Sequence, residues 1–233
     1  MKNIKHYLMF FSIISLSLLS NAQSSSLPSV GDSPSDFVNK DFKIIAQTES
    51  DFNLDKIMDF AIVLESKKEQ EENPRILLIL FGDKSGNYKK VVQNNNAVYK
   101  SNEGGQMGDP FIDFGSLTSK NNSLFIQFYG GSSSRWGVVY QFKYIKNDFY
   151  LIGKEDSQSN INSGEVEEKS YNYLTNKLKI TNYNERVISK ANVKWLKIQN
   201  KELISINKFN IYENDKSLDP LIIGLEKRGQ VSS

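Results

Sequence analysis

Two short runs in which every side chain is apolar, Phe60 to Leu64 and Ile76 to Phe81, constrain this chain more than any other feature. An alternating or helical pattern leaves one face polar. An unbroken apolar run leaves none, so both faces of each segment must be covered, and at this length the segments read as central strands of a sheet. The intervening Glu65 to Pro74 (ESKKEQEENP) is charged and belongs on the surface. The longer apolar run from Tyr7 to Leu19 is itself too short to span a bilayer.

The rest of the chain repeats this pattern more weakly, with short β-type runs between polar turns. Phe42 to Gln47 is a first strand. The turn Gly82 to Gly86 joins Ile76 to Phe81 to a strand near Tyr88 to Val92. Residues 101 to 115 form a long Gly-containing loop, and strands follow at Leu124 to Tyr129, Trp136 to Ile145 and Phe149 to Ile152. Residues 154 to 168 read as a polar loop. Weaker strands are expected at Lys177 to Thr181, Val187 to Ser189, Val193 to Ile198 and Leu203 to Ile206, and Pro220 to Leu225 reads as a last short strand or helix. The fold class is mainly β, with an α+β variant left open: antiparallel meander sheets with long polar loops. No internal repeat is visible, which argues against a solenoid or a full propeller.

The first 22 residues have the layout of a secretory signal. Lys2, Lys5 and His6 precede an apolar run from Tyr7 to Leu19, and Ser20-Asn21-Ala22 supplies small residues for cleavage. The expected organisation is therefore a signal peptide over 1–22, a Ser- and Pro-rich flexible lead-in over 23–36, one β-rich domain over 37–225 and a tail over 226–233. The expected location is periplasmic or secreted. Cleavage removes the single His, and the sequence has no Cys. A His-based triad, a His-ligated zinc or iron site, a disulfide and a thiolate nucleophile are then all excluded. Without Lys2 and Lys5 the lysines and arginines equal the 27 acidic residues, so the excess positive charge of a nucleic-acid binder is missing.

The strongest chemical motif is Asp51-Phe52-Asn53-Leu54-Asp55-Lys56-Ile57-Met58-Asp59, with oxygen side chains at relative positions 1, 3, 5 and 9. Alternate residues of a tight loop can point inward, so Asp51, Asn53, Asp55 and Asp59 are candidate ligands for calcium, which prefers such hard donors. Two carboxylates about 5 Å apart repel by roughly 1 kcal/mol in water and about 3 kcal/mol at an effective dielectric of 20, which favours a cation between them. Lys56 is a competing source of that charge, and Asx residues shape turns without any metal. An EF-hand is excluded, because Lys56 and Ile62 stand where its Gly and Glu belong.

The loop resembles the D-x-[DN]-x-D-G-x-x-D loop of FG-GAP and VCBS-type repeats, with Leu54 and Lys56 in place of the usual glycines. The order of further segments, among them Arg75 to Gly82, Gly108 to Phe111, Gly130 to Trp136, Gln141 to Tyr144, Phe149 to Gly153 and Asn172 to Thr175, is similar to that of small exported Bacteroidetes-type proteins of unknown function. The resemblance implies an exported β-rich domain with a single acidic loop.

A second constellation combines Glu103, Asp109 and Asp113 with Arg135 and Trp136. Paired carboxylates beside an aromatic ring suit glycoside hydrolysis, but acidic residues also simply shape loops. Gly130 to Arg135 reads as a hairpin turn in preference to an anion nest. The alternating Trp136, Val138, Tyr140, Phe142 and Tyr144 form an aromatic face that serves as core, or as a ligand platform if exposed. These features lead to an exported binding or accessory protein with a structural calcium site and an envelope or extracellular ligand. The alternative is a carboxylate-dependent hydrolase of cell-envelope glycan; a third reading is a purely structural envelope protein.

Overall fold

The computed structural model describes residues 27–68, 70–112, 116–188, 190–199, 202–217 and 222–225. The expected leader, the expected tail and Asp113 lie outside them. The two apolar runs become β3 (Asp59–Ser66) and β4 (Arg75–Gly82), antiparallel neighbours that pair Ile62 with Leu78 and Leu64 with Ile76. Alternation explains their composition. Ile62, Leu64, Ile76, Leu78 and Leu80 pack into one buried cluster, whereas Ala61, Val63, Leu77 and Ile79 pack into another on the opposite face.

With β1 (Val30–Gly31), β2 (Phe42–Ser50) and β5 (Tyr88–Asn94), they form a five-stranded antiparallel sheet ordered β1-β5-β4-β3-β2. One face of it is covered by part of the segment expected to be a flexible lead-in. Leu27 and Phe37 are buried there, and Pro34–Phe37 is a 3-10 helix. The Asp36 carboxylate accepts N–H bonds from Ser33 (2.8 Å) and Asp32 (2.9 Å). From Leu27 onward this Ser-rich stretch is docked by Leu27 within it and by Phe37, the first residue of the expected domain.

The second sheet is an eight-stranded meander in sequence order: β6 (Ser116–Lys120), β7 (Ser123–Gly131), β8 (Ser134–Ile145), β9 (Asp148–Asn160), β10 (Glu165–Asn172), β11 (Lys177–Asn184), β12 (Asn192–Ile198) and β13 (Ile222–Leu225). Neither sheet closes into a barrel. The expected loop over 154–168 is instead the end of β9, a turn and the start of β10. Its residues are polar because this end of the hairpin carries little of the inter-sheet core. Val187 and Ile188, expected in a strand, lie in the turn after β11. Leu203 to Ile206 contributes only a bridge from Ser205 to Tyr150. It leads to Ile206, Phe209 and Ile211, which plug the core at the start of a short helix, α1 (Ile211–Ser217).

The sheets share one apolar core, in which Phe52, Phe111, Phe128, Tyr140, Phe142, Phe149 and Phe209 meet. The Trp136 to Tyr144 stripe faces it. Tyr140 and Phe142 are fully buried, so the stripe is packing rather than an open platform. Each such ring contributes about 1.5–3 kcal/mol of burial. Among the described residues no helix is long and apolar enough to cross a membrane.

Candidate metal centre

The acidic loop links β2 to β3 and folds on its own side chains. Asp51 Oδ1 and Asn53 Oδ1 both accept the Asp55 N–H at 3.0 Å, which sets these two oxygens side by side. Asp51 Oδ2 accepts from the Lys56 N–H (2.9 Å), Asp55 Oδ1 from the Ile57 N–H (2.8 Å), and Asn53 Nδ2 donates to Asp55 Oδ2 (2.9 Å). These bonds require the chain to turn sharply twice, at Leu54 (φ 65°) and Lys56 (φ 72°). For a residue with a Cβ this conformation costs roughly 1–2 kcal/mol, and such strain persists only where its surroundings enforce it. Among the described residues no Lys or Arg pairs with Asp51 or Asp55, and Lys56 enters through its backbone N–H.

Asp59 is placed differently from the other three. It is fully buried, its Oδ2 accepts the Phe52 N–H (2.8 Å), and its Oδ1 accepts the Gly82 N–H (3.1 Å). It therefore ties both ends of the loop to the end of β4. Burial pushes its carboxyl up to about 6, and the nearby Asp55 charge adds to the rise, against the lowering effect of the N–H bonds. Gly82 has no room for a side chain: a Cβ there would stand 2.6 Å from the Met58 carbonyl oxygen. Two further contacts join the loop to the second sheet. Phe52 packs edge-on against Phe149 in the shared core, at 5.7 Å between ring centroids. Asn122, in the β6–β7 turn, donates from Nδ2 to the Asp51 carbonyl (2.5 Å).

The loop thus gathers two carboxylates and one amide oxygen, a hard-donor set suited to calcium and unsuited to softer metals. Each oxygen already accepting one N–H keeps a second lone pair. Among the described residues no three His, Cys, Asp or Glu side chains come together to hold a metal ion. A calcium ion here would be held by Asp51, Asn53 and Asp55, with backbone carbonyls and water completing its usual six to eight ligands.

The second constellation separates. Asp109 is buried, and both its oxygens face Arg75: Oδ1 accepts from Nη1 at 3.0 Å, and Oδ2 pairs with Nη2. Its Oδ1 also accepts the Phe111 and Ile112 N–H groups. Desolvation opposes ionisation, but the guanidinium and these N–H bonds outweigh it and hold the carboxyl below its usual range. A carboxylate kept ionised by a buried guanidinium has no proton to donate, and both its oxygens are turned to Arg75 rather than to a substrate. Glu103 accepts from the Tyr212 hydroxyl (2.7 Å) and the Lys100 N–H (2.8 Å). Arg135 lies near Tyr129, with Nη1 at 3.5 Å from its hydroxyl, and Trp136 packs on Tyr99 at 5.8 Å.

Sequence reasoning missed Arg75. Among the described residues it is the largest fully buried side chain, bonding Glu65 Oε2 through Nε (3.0 Å) and Nη2 (2.6 Å) and the Tyr99 carbonyl through Nη1 (3.1 Å), while Glu65 Oε1 meets Lys43 at 3.0 Å. The only signal was a cation opening an otherwise apolar strand. Compared with known proteins, the chain matches no family model, no curated protein sequence and no solved structure.

Proposed function

We propose that this chain is an exported binding or accessory protein whose two-sheet scaffold is fastened by a calcium ion in the 51–59 loop. The observation that carries the reading is the pair of left-handed residues, Leu54 and Lys56, which turn Asp51, Asn53 and Asp55 toward one another although, among the described residues, no cationic side chain pairs with the two carboxylates. Repulsion between the carboxylates and backbone strain both oppose such a loop in isolation, and a divalent cation relieves the first. The leader over 1–22 supports the same conclusion. A site with three side-chain donors falls in the weak range of about 0.1–1 mM, which fills only where calcium is millimolar, outside the cell.

Calcium is then a fastener, and ligand binding falls to another surface. The test is a thermal melt of the full chain after chelation and again in about 5 mM calcium. For a Kd of about 0.5 mM, mass action supplies roughly 1.4 kcal/mol, or about 3–5 °C in a domain of this size. Asp55→Ala is expected to remove the shift. A wild-type melting temperature that does not move in calcium would contradict the assignment. The hydrolase reading receives no support from Asp109, because Arg75 occupies it.

A further inference from the structure

The face of the second sheet turned away from the first holds, among the described residues, a groove of about 400 Å³ that crosses strands β7 to β11. Tyr129, Gly137, Ser157, Glu168 and Thr181 stand opposite one another across these strands, and Glu155 and Lys179 belong to the next row. Their side chains point away from the first sheet, because the intervening Phe128 and Val138 are in the inter-sheet core. The floor is low where Gly137 sits. A Cβ there would stand 2.7 Å from the Ser157 hydroxyl and 3.3 Å from the Tyr129 ring. Tyr129 lines the groove on one side; beyond its lining on the other, the same sheet face carries Tyr183, two residues beyond Thr181, and Trp195, opposite Lys179. Tyr183 is fixed by its hydroxyl bond to Glu168 Oε1 (3.1 Å).

From this arrangement we propose that the groove binds a neutral oligosaccharide chain. Aromatic faces suit the C–H surfaces of sugar rings, and hydroxyls and carboxylates between them suit sugar hydroxyls. The lining carries three carboxylates, Glu155, Asp156 and Glu168, against two lysines, Lys169 and Lys179, a balance that disfavours a polyanion such as nucleic acid. An extended peptide is the poorer occupant. All five strands are interior and paired on both sides, so no open edge offers β-addition, and the groove runs across the strands. The proposal deepens the binding-protein reading and rests on it, but it does not rest on the calcium loop.

The experiment is a titration of the full chain, followed by backbone NMR, with cellohexaose, xylohexaose, mannohexaose and a β-1,3-glucohexaose. A hexagalacturonate and an unstructured hexapeptide serve as controls. At least one neutral hexasaccharide is expected to bind with Kd below about 1 mM, with shifts confined to β7–β11. Tyr129→Ala is expected to weaken it by roughly tenfold. Ser170→Trp, a substitution at an exposed position on the groove floor, is expected to abolish it while the melting temperature holds. Binding of only the anionic sugar or the peptide, no binding of any neutral sugar, or unchanged affinity in the folded Ser170→Trp variant would overturn the proposal. Shifts on another surface would overturn the groove alone and leave the binding-protein reading standing. A calcium-dependent melt on the same samples separates the two sites, since calcium stabilisation without sugar binding sinks only the groove.

Discussion

Asp59 is where the chemistry of the loop meets its stability. Its carboxyl, normally near 3.8, is raised to about 6 by burial, so the native state holds a proton that the unfolded chain releases. The contribution is therefore fully present below about pH 4 and is lost as pH rises through 6, amounting to roughly 2–3 kcal/mol. The difference between the melting curves of the wild type and Asp59→Asn from pH 4 to pH 7 isolates it, since Asp36 and Asp109 have lowered values and act below that window. A loss of wild-type stability relative to the variant across the window is expected, and saturating calcium should reduce it by favouring the ionised form. The left-handed residues give a second prediction at this scale. Leu54 is exposed and strained, so Leu54→Gly is expected to stabilise the apo protein by about 0.5–1 kcal/mol, measured by urea unfolding. The oxygen spacing at 51, 53, 55 and 59 was readable in the sequence. That Asp59 turns into the interior was not, because its partner Gly82 lies 23 residues along the chain and meets it only after β3 and β4 pair.

Among the elements, β3 and β4 were legible because they are covered on both faces, and that coverage is written as consecutive apolar residues. The end of β9 and the start of β10 were not. Gln158, Glu165 and Glu168 are exposed, so no alternation of apolar and polar residues marks the strands. The Arg75 network was illegible for a different reason: Asp109 is 34 residues away, and a loop carboxylate looks the same in sequence whether it meets a substrate or an arginine. Removing one member of a buried ion network leaves the others uncompensated, so Asp109→Ala is expected to cost about 3–5 kcal/mol, whereas Glu103→Gln should cost less than about 1 kcal/mol. Chemical denaturation of the two variants checks this. Equal, small losses would mean that Arg75 does not depend on Asp109.

The whole molecule is two antiparallel sheets around one core, with the acidic loop at a place where both are reached. Phe52 enters the shared core, Asp59 holds the end of β4, and Asn122 of the second sheet bonds the Asp51 carbonyl. A fastener at that point should resist separation of the sheets, and unfolding followed by fluorescence and by circular dichroism should coincide in a single transition. An amide NMR titration with calcium decides whether one ion sits among Asp51, Asn53 and Asp55. Saturable one-to-one shifts are expected at residues 51–59 and at Asn122, with a midpoint of about 0.1–1 mM, absent in Asp55→Ala. No shifts in the loop up to several mM, or shifts scattered over surface carboxylates without saturation, would contradict that placement.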